Sequence, residues 1–302
     1  MLFGIRHGER GDRCHIERKT VQLDHDPHLT KLGCLQAQAS GQRLEEEIQN
    51  YFKHLKQEKL IGEDEKDEIE IIMLSSPFLR TMMTAFHLAQ QIKKRVYKKT
   101  IYLQYEFCEN IANYDFSEDP LKDLFIVRQN QEQQNKNLSE NEKCNIQNQY
   151  QLKSYFLWNY YVKQIYFNSM ILILEFQIQQ YIDVQNSDLK FEYDGLFKNE
   201  KSWIPTFPER NNKKRVYTAI EGLLDFYLTN FDHKKYVVLY VSHQSIVEEG
   251  LRYFGKSIQQ WSSEYCALLG VRFNDPVKNG IKNYEVLIDC DSSHADKVQI
   301  KK

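Results

Sequence analysis

Arg6-His7-Gly8-Glu9-Arg10 follows directly on the apolar run Leu2 to Ile5. An imidazole beside two guanidinium groups is a poor place to hold a cation. It is a good place to receive a phosphate dianion, which the arginines clamp while a neutral ring nitrogen attacks phosphorus. Attack by His7 would give a phosphohistidine, and such transfer depends mostly on positioning and on charge stabilisation at the equatorial oxygens. Alone, the five residues are an ordinary polar turn, so the rest of a phosphate site has to appear downstream. Ser75-Ser76-Pro77-Phe78-Leu79-Arg80-Thr81 follows the apolar run Ile69 to Leu74, and Val241-Ser242-His243 follows the run Tyr236 to Tyr240. Each reads as a strand, a polar turn and a helix start. In an open α/β sheet, ligands bind outside the carboxyl ends of the strands. His7 and His243 can therefore converge although they lie far apart in sequence. The expected clamp is Arg6, Arg10, Arg80 and His243, with His7 as nucleophile.

This arrangement resembles the histidine phosphatase superfamily, the phosphoglycerate-mutase-like fold, whose hallmark is an early Arg-His-Gly and a late second histidine. Further segments carry the likeness: Asp26 to Ala37 before the first helix, Ser75 to Ala85 around the second arginine, Phe107-Cys108-Glu109, Phe207 to Arg210, and Glu264 to Leu268. The start Arg6 to Arg10, followed by Asp12, is similar to the phosphatase branch typified by the suppressor-of-T-cell-receptor-signalling proteins. Mutases usually continue with serine or threonine and then asparagine, and Arg10 to Cys14 does not.

The resemblance implies a metal-independent phosphomonoesterase with no cofactor, acting on a phosphorylated small molecule or a phosphoprotein. It also implies a carboxylic acid that protonates the leaving oxygen and then activates water. Glu109 is the expected acid, because Phe-Cys-Glu matches the family's apolar-x-Glu after the third strand. Glu106 is its rival; Asp115 and Glu209 are more remote. Two other functions compete: a phosphoglycerate-type mutase, and a non-catalytic phosphate-binding or scaffold module. The long insert and the residues after Arg10 argue against the first. The intact quartet Arg6, His7, Arg80 and His243 argues against the second.

Composition narrows the partners. Net charge is −2 over 302 residues, so no global basic field attracts nucleic acid or acidic membrane. The 3 Trp, 19 Tyr and 17 Phe, with 41% hydrophobic residues, suffice for a sizeable core. The six cysteines show no CxxC and no metal-ligand spacing, and read as reduced thiols of a cytoplasmic protein. No metal site is expected. The strongest membrane candidate, Phe156 to Phe176, is broken by polar residues. Its clean apolar core is only Met170 to Leu174, short of the ~20 residues a span needs.

Several elements must hold these residues in place. Thr30 is the expected N-cap of a helix running to about Leu60, and Pro77 is expected in the first turn of the next. Strands are expected at Leu2 to Ile5, Ile69 to Leu74, Ile101 to Tyr105, Tyr236 to Val241, Glu264 to Phe273 and Tyr284 to Ile288. Helices are expected across Val216 to Leu228 and Gln244 to Phe254, the latter ended by Gly255. Strands alternating with helices predict a single domain over 1–302. Its fold class is a three-layer α/β/α sandwich with a mostly parallel sheet, phosphoglycerate-mutase-like, with a helical insertion. The insertion, 115–205, contains a polar excursion from Gln129 to Asn148 and an aromatic-rich helical stretch from Gln151 to Tyr181, a candidate lid over the site.

Overall fold

A computed structural model describes residues 1–21, 25–111, 120, 188–192, 209, 212–231, 235–257, 264–273 and 284–298. Seven strands form one sheet in the order β4-β3-β2-β5-β1-β6-β7. In chain order they are β1 (Leu2–Arg6), β2 (Glu70–Ser75), β3 (Val96–Leu103), β4 (Lys190–Glu192), β5 (Tyr236–Ser242), β6 (Leu268–Phe273) and β7 (Tyr284–Asp291). From β4 across to β1 every pairing is parallel; β6 and β7 close the far edge antiparallel. β5 lies between β1 and β2, and both of its faces are buried. That is why Val237 to Val241 reads as an unbroken apolar run and not as an alternation.

Helices cover both faces. On one side lie α3 (Asn212–Asn230) and α4 (Gln244–Tyr253). Val216, Ile220, Leu223, Ile246, Val247 and Leu251 pack there against Leu2, Ile72, Leu74, Val238, Tyr240 and Leu269 of the sheet. Each such aliphatic side chain contributes about 1.5–3 kcal/mol by leaving water. The alternate strand residues Phe3, Ile5, Met73, Leu239 and Val241 are buried on the other face. On that side α1 (Lys31–Gln57) packs against α2 (Leu79–Gln91), and α2 packs on β2 and β5. A short C-terminal helix, α5 (Ser293–Asp296), rests on α1. The three-layer, mostly parallel α/β arrangement is therefore present.

Boundaries differ from the sequence reading where tertiary contacts decide them. Pro77 is not in the first turn of α2. The helix starts at Leu79, whose N–H donates to both oxygens of Asp26 at 2.9 Å; a carboxylate from a distant loop caps the helix. β3 runs from Val96 to Leu103 and stops before Tyr105, because Tyr105–Phe107 turns into a single 3-10 turn. β6 begins at Leu268 and not at Glu264; Cys266 adopts φ 57°, which ends extended backbone there. α1 ends at Gln57, short of Leu60. The expected insertion also gives a strand to the sheet, since β4 pairs with Thr100 to Tyr102 of β3.

The chain divides into two compact units, Met1–Glu118 with Ile182–Lys302, and Asp119–Tyr181. The polar excursion and the aromatic-rich stretch expected as a lid lie outside the described residues. Among the described residues, no helix is long and apolar enough to cross a membrane, and the cysteines at 14, 34, 108, 266 and 290 are free thiols.

Candidate active site

β1, β2 and β5 are neighbours in the sheet, so their carboxyl ends bring residues 6–8, 75–80 and 242–243 together. Arg6 pairs in register with Ser242, and the His7 amide donates to Ser242 O at 2.9 Å. The His7 and His243 ring centroids lie 5.5 Å apart, edge to face. Two imidazoles separated by 236 positions in sequence thus meet in one buried cluster.

The backbone after His7 is fixed by close approach. The Gly8 N–H donates to Thr84 Oγ1 at 3.1 Å, and a Cβ on Gly8 would sit 2.5 Å from Gly33 O at the start of α1. Only glycine fits there. Thr30 secures the same junction: it accepts from Gly33 N at 2.9 Å and donates to Glu9 Oε2 at 2.7 Å.

His7 Nδ1 lies 2.8 Å from Gly8 O. A carbonyl can only accept, so Nδ1 carries the proton and Nε2 keeps its lone pair. Burial, then the charges of Arg80, His243 and Arg6, hold the His7 pKa well below the usual histidine range. The ring is therefore a neutral imidazole of one tautomer at neutral pH.

Arg80 is 1% exposed. Its Nη1 donates to Asp26 Oδ1 at 3.2 Å and to His25 O at 3.4 Å, its Nη2 to Glu109 Oε2 at 3.4 Å, and its Nε has no partner. The guanidinium lies 4.6 Å from the Phe78 ring centroid. These bonds are long for charge-assisted ones, which usually fall near 2.7–2.9 Å. Among the described residues this buried cation thus keeps hydrogen-bonding capacity that its neighbours do not use.

Glu109 borders the same cluster and is 19% exposed. Its Oε1 accepts from Ser245 Oγ at 3.1 Å and from the Asn110 amide at 3.3 Å. Its Oε2 lies 3.1 Å from His243 Nδ1, off the line of a good hydrogen bond. Burial pushes the Glu109 pKa up, but His243 and Arg80 outweigh it and hold the carboxyl well below its usual range. The other nitrogen of His243, Nε2, is 2.8 Å from Ser76 Oγ. Burial drives the His243 pKa down to about 4, against the pull of Glu109.

The remaining predicted residues take different positions. The Arg6 guanidinium stacks 4.4 Å from the Tyr265 ring centroid, and that ring lies 5.9 Å from His7. Arg10 forks onto Asp12, Nε to Oδ1 at 2.9 Å and Nη2 to Oδ2 at 2.7 Å; its charge still bears on Arg80 and His243. Glu106 is buried, and its carbonyl accepts from Arg215 at 2.5 Å. It is Glu109 that reaches Arg80 and His243. Asp115 lies outside the described residues, and Glu209 pairs with Arg215.

One grouping was not visible in the spacing of the sequence. His7, Glu109 and His243 offer ligand atoms within 4.8 Å of one another, as a metal site would. The surroundings favour an anion instead. Arg80 touches the carboxylate of that trio, and Arg80 and Arg6 both depress His7 by their charge. A dication would have to displace or repel them.

Sequence reasoning also missed Asp26, Ser76, Ser245, Tyr265 and Arg215 as parts of the site. Arg215 alone left a usable signal. It heads the buried stripe Val216, Ala219, Ile220, Leu223 and Tyr227 of α3, where a charged residue needs a buried partner.

No protein-family model matches this chain, and no curated protein matches it in sequence. Solved structures similar in chain trace include the ecdysone phosphate phosphatase of Bombix mori in complex with tungstate, with 13% identity, a TM-score of 0.49, and 100% of this chain and 95% of that one covered. A phosphoglycerate mutase of Bacillus anthracis is similar at 13% identity and a TM-score of 0.46, covering 98% and 95%. A mycobacterial glucosyl-3-phosphoglycerate phosphatase is similar at 11% identity and a TM-score of 0.44, covering 96% and 97%.

Proposed function

We propose that this chain is a phosphomonoesterase of the histidine phosphatase type, which transfers a phosphoryl group to Nε2 of His7 and then to water without a metal ion. The observation that carries the reading is the pairing of a buried, tautomer-fixed imidazole with a second imidazole 5.5 Å away, beside a buried arginine that has an N–H to spare. A nucleophile needs its lone pair free and aimed, and the Gly8 carbonyl leaves it on Nε2. Arg80 and Arg6 supply positive charge for the phosphoryl oxygens, and His243 bounds the opposite wall. Attack forms the N–P bond as the ester P–O bond breaks. The leaving oxygen takes a proton from Glu109. Glu109 then accepts one from the water that attacks phosphohistidine, releasing inorganic phosphate and restoring both residues.

Glu109 is a carboxylate in the site as described, so its proton must come with the substrate. A phosphate seated against Arg80 neutralises the charge that depresses Glu109 and adds negative charge of its own. Both effects raise its pKa toward a value useful for an acid. Acidity at this residue is thereby linked to occupancy of the site.

The test is hydrolysis of p-nitrophenyl phosphate in excess EDTA by the native protein and by His7→Ala. Turnover should resist EDTA, and the variant should lose on the order of 10⁴-fold or more in kcat. Quenching the native protein in alkaline detergent should trap phosphate in a base-stable, acid-labile linkage absent from His7→Ala. EDTA-sensitive turnover, or equal turnover by the variant, overturns the reading. Mutase activity would show instead as phosphate exchange between phosphoglycerates primed by a bisphosphoglycerate.

A further inference from the structure

We propose that Arg215, tied to Glu209, is a positioning residue that sets the backbone from which Glu109 acts; this rests on the function proposed above. Arg215 is fully buried. All three of its nitrogens are engaged. Nε donates to Glu209 Oε1 and Nη2 to Glu209 Oε2, both at 2.8 Å. Nη1 donates to Glu106 O at 2.5 Å and Cys108 O at 3.1 Å, and Nη2 also donates to Glu109 O at 3.3 Å. Five donors in a planar fork therefore meet one carboxylate and three carbonyls of the acid-bearing segment.

That segment has little regular structure to hold it. It leaves β3 at Leu103, makes one 3-10 turn over Tyr105–Phe107, and then presents Glu109. Ser242 Oγ donates to Phe107 O at 2.6 Å, so every carbonyl from Glu106 to Glu109 is held by a side chain. Buried carbonyls need donors, and a sheet ladder or a helix would ordinarily supply them. Here Arg215 supplies three of the four. Glu209 extends the hold along the chain, since its own amide donates to Ile111 O at 3.0 Å. The Phe107 ring stacks 4.7 Å from that of Tyr240 on β5, which fixes the segment from the sheet side. Glu109 then has its carbonyl pinned by Arg215 and its carboxylate aimed at Arg80 and His243.

Lysine cannot replace this arginine. Its three donors sit on one atom and cannot span a carboxylate and three carbonyls facing different ways. Arg215→Lys should therefore leave phosphate capture by His7 and Arg80 intact while loosening the acid. The loss should depend on the leaving group, because an aryl oxide departs with little help and an alkoxide needs a proton. Arg215→Lys should lower kcat/KM for an alkyl ester such as glycerol 2-phosphate by about 10²-fold, and for p-nitrophenyl phosphate by less than about fivefold. Competitive inhibition by inorganic phosphate should change less than about threefold. Glu209→Gln, which keeps the shape and the arginine, should show the same discrimination at about three- to tenfold and serves if Arg215→Lys does not fold.

Equal losses for both esters would overturn the proposal, since a merely structural pair lowers the amount of active protein and not its leaving-group preference. No loss for either ester would also overturn it. Hydrogen exchange separates this proposal from the functional reading. In Arg215→Lys, amides of residues 105–110 should exchange faster while those of 1–8 and 236–246 stay protected. If the native protein hydrolyses neither ester, the function proposed above fails, and unchanged exchange at 105–110 would then sink the positioning role as well.

Discussion

Two arginines stand at opposite ends of neighbouring strands, and each meets two carboxylates. Arg95 precedes β3 at the amino end of the sheet. Its Nε and Nη2 donate to Glu45 at 2.6 and 2.7 Å, and its Nη1 and Nη2 donate to Asp67 at 2.9 and 2.6 Å. Nη1 also reaches Ile69 O at 3.2 Å. Arg80 follows β2 at the carboxyl end, and its two carboxylate bonds measure 3.2 and 3.4 Å. Arg95 is 14% exposed and Arg80 1%. The better-paired cation is thus the more exposed one. Pairing with Glu45 raises the Arg95 pKa, whereas burial lowers that of Arg80. A stability device would saturate the buried arginine first. On the function proposed above, an anion completes the under-bonded Arg80, and that would be the physical mark separating a site from a brace.

Replacing each arginine by methionine, which is similar in length and uncharged, should sharpen this contrast. Arg80→Met should cut kcat/KM for a phosphate monoester by about 10²–10³-fold and abolish competitive inhibition by inorganic phosphate, because it removes the donors facing the equatorial oxygens. Turnover within a few-fold of native would break the comparison and return Arg80 to the role of a helix-start ion pair.

At the other end, Arg95→Met should leave kcat/KM within about twofold and lower the free energy of unfolding by about 1–3 kcal/mol, measured in urea. The loss is modest because Glu45 and Asp67 are each more than a quarter exposed and regain water when unpaired. An activity defect as large as that of Arg80→Met would mean that the two ends of the sheet are coupled.

The same contrast explains what was legible beforehand. His7, Arg80 and His243 could be brought together from sequence because each follows an apolar run that ends in a polar turn, whereas Glu109 came from the resemblance of Phe107-Cys108-Glu109 to the family's acid segment. Strand ends are where a parallel sheet must place its ligand. The three-layer arrangement was legible for a similar reason: Tyr236 to Val241 is apolar throughout, as only a strand covered on both faces would be. Asp26 and Ser76 were not legible, and Arg215 was legible only as a charge at the head of an apolar stripe. Asp26 caps a helix that starts 53 positions later, and Arg215 braces a segment more than 100 positions before it. Their roles come from contacts made after the chain has folded, and local pattern does not name the partners. Arg10 marks the opposite limit. Its type and spacing suit phosphate, yet Asp12, two residues on, meets its fork.

Acid should distinguish the two ends without any mutation. His243 has a folded pKa of about 4 against an ordinary 6.5. Below pH 6.5 the unfolded chain takes up a proton that the folded site refuses until about pH 4. The His243 contribution to stability is therefore full above 6.5 and falls as pH drops through that window, with a slope of about 1.4 kcal/mol per pH unit for one proton. His7, depressed by burial and by Arg80, acts with the same sign. At the Arg95 end the group that answers to the ion pair is Glu45, whose pKa is lowered by its bond to Arg95. Its contribution is present above 4.5 and is lost only as pH falls further. Between pH 6.5 and 4.5 the decline thus belongs to groups that burial keeps neutral, the histidines 7, 87, 243 and 294 together with the Met1 amine, and urea midpoints taken across that range should show it. His243→Asn should remove one proton's share of the slope, whereas Arg95→Met should lower the whole curve and leave its slope in that window unchanged. If His243→Asn kept the native slope, the imidazole would not be held neutral by burial, and the hollow at the carboxyl end would be wetter than its geometry requires.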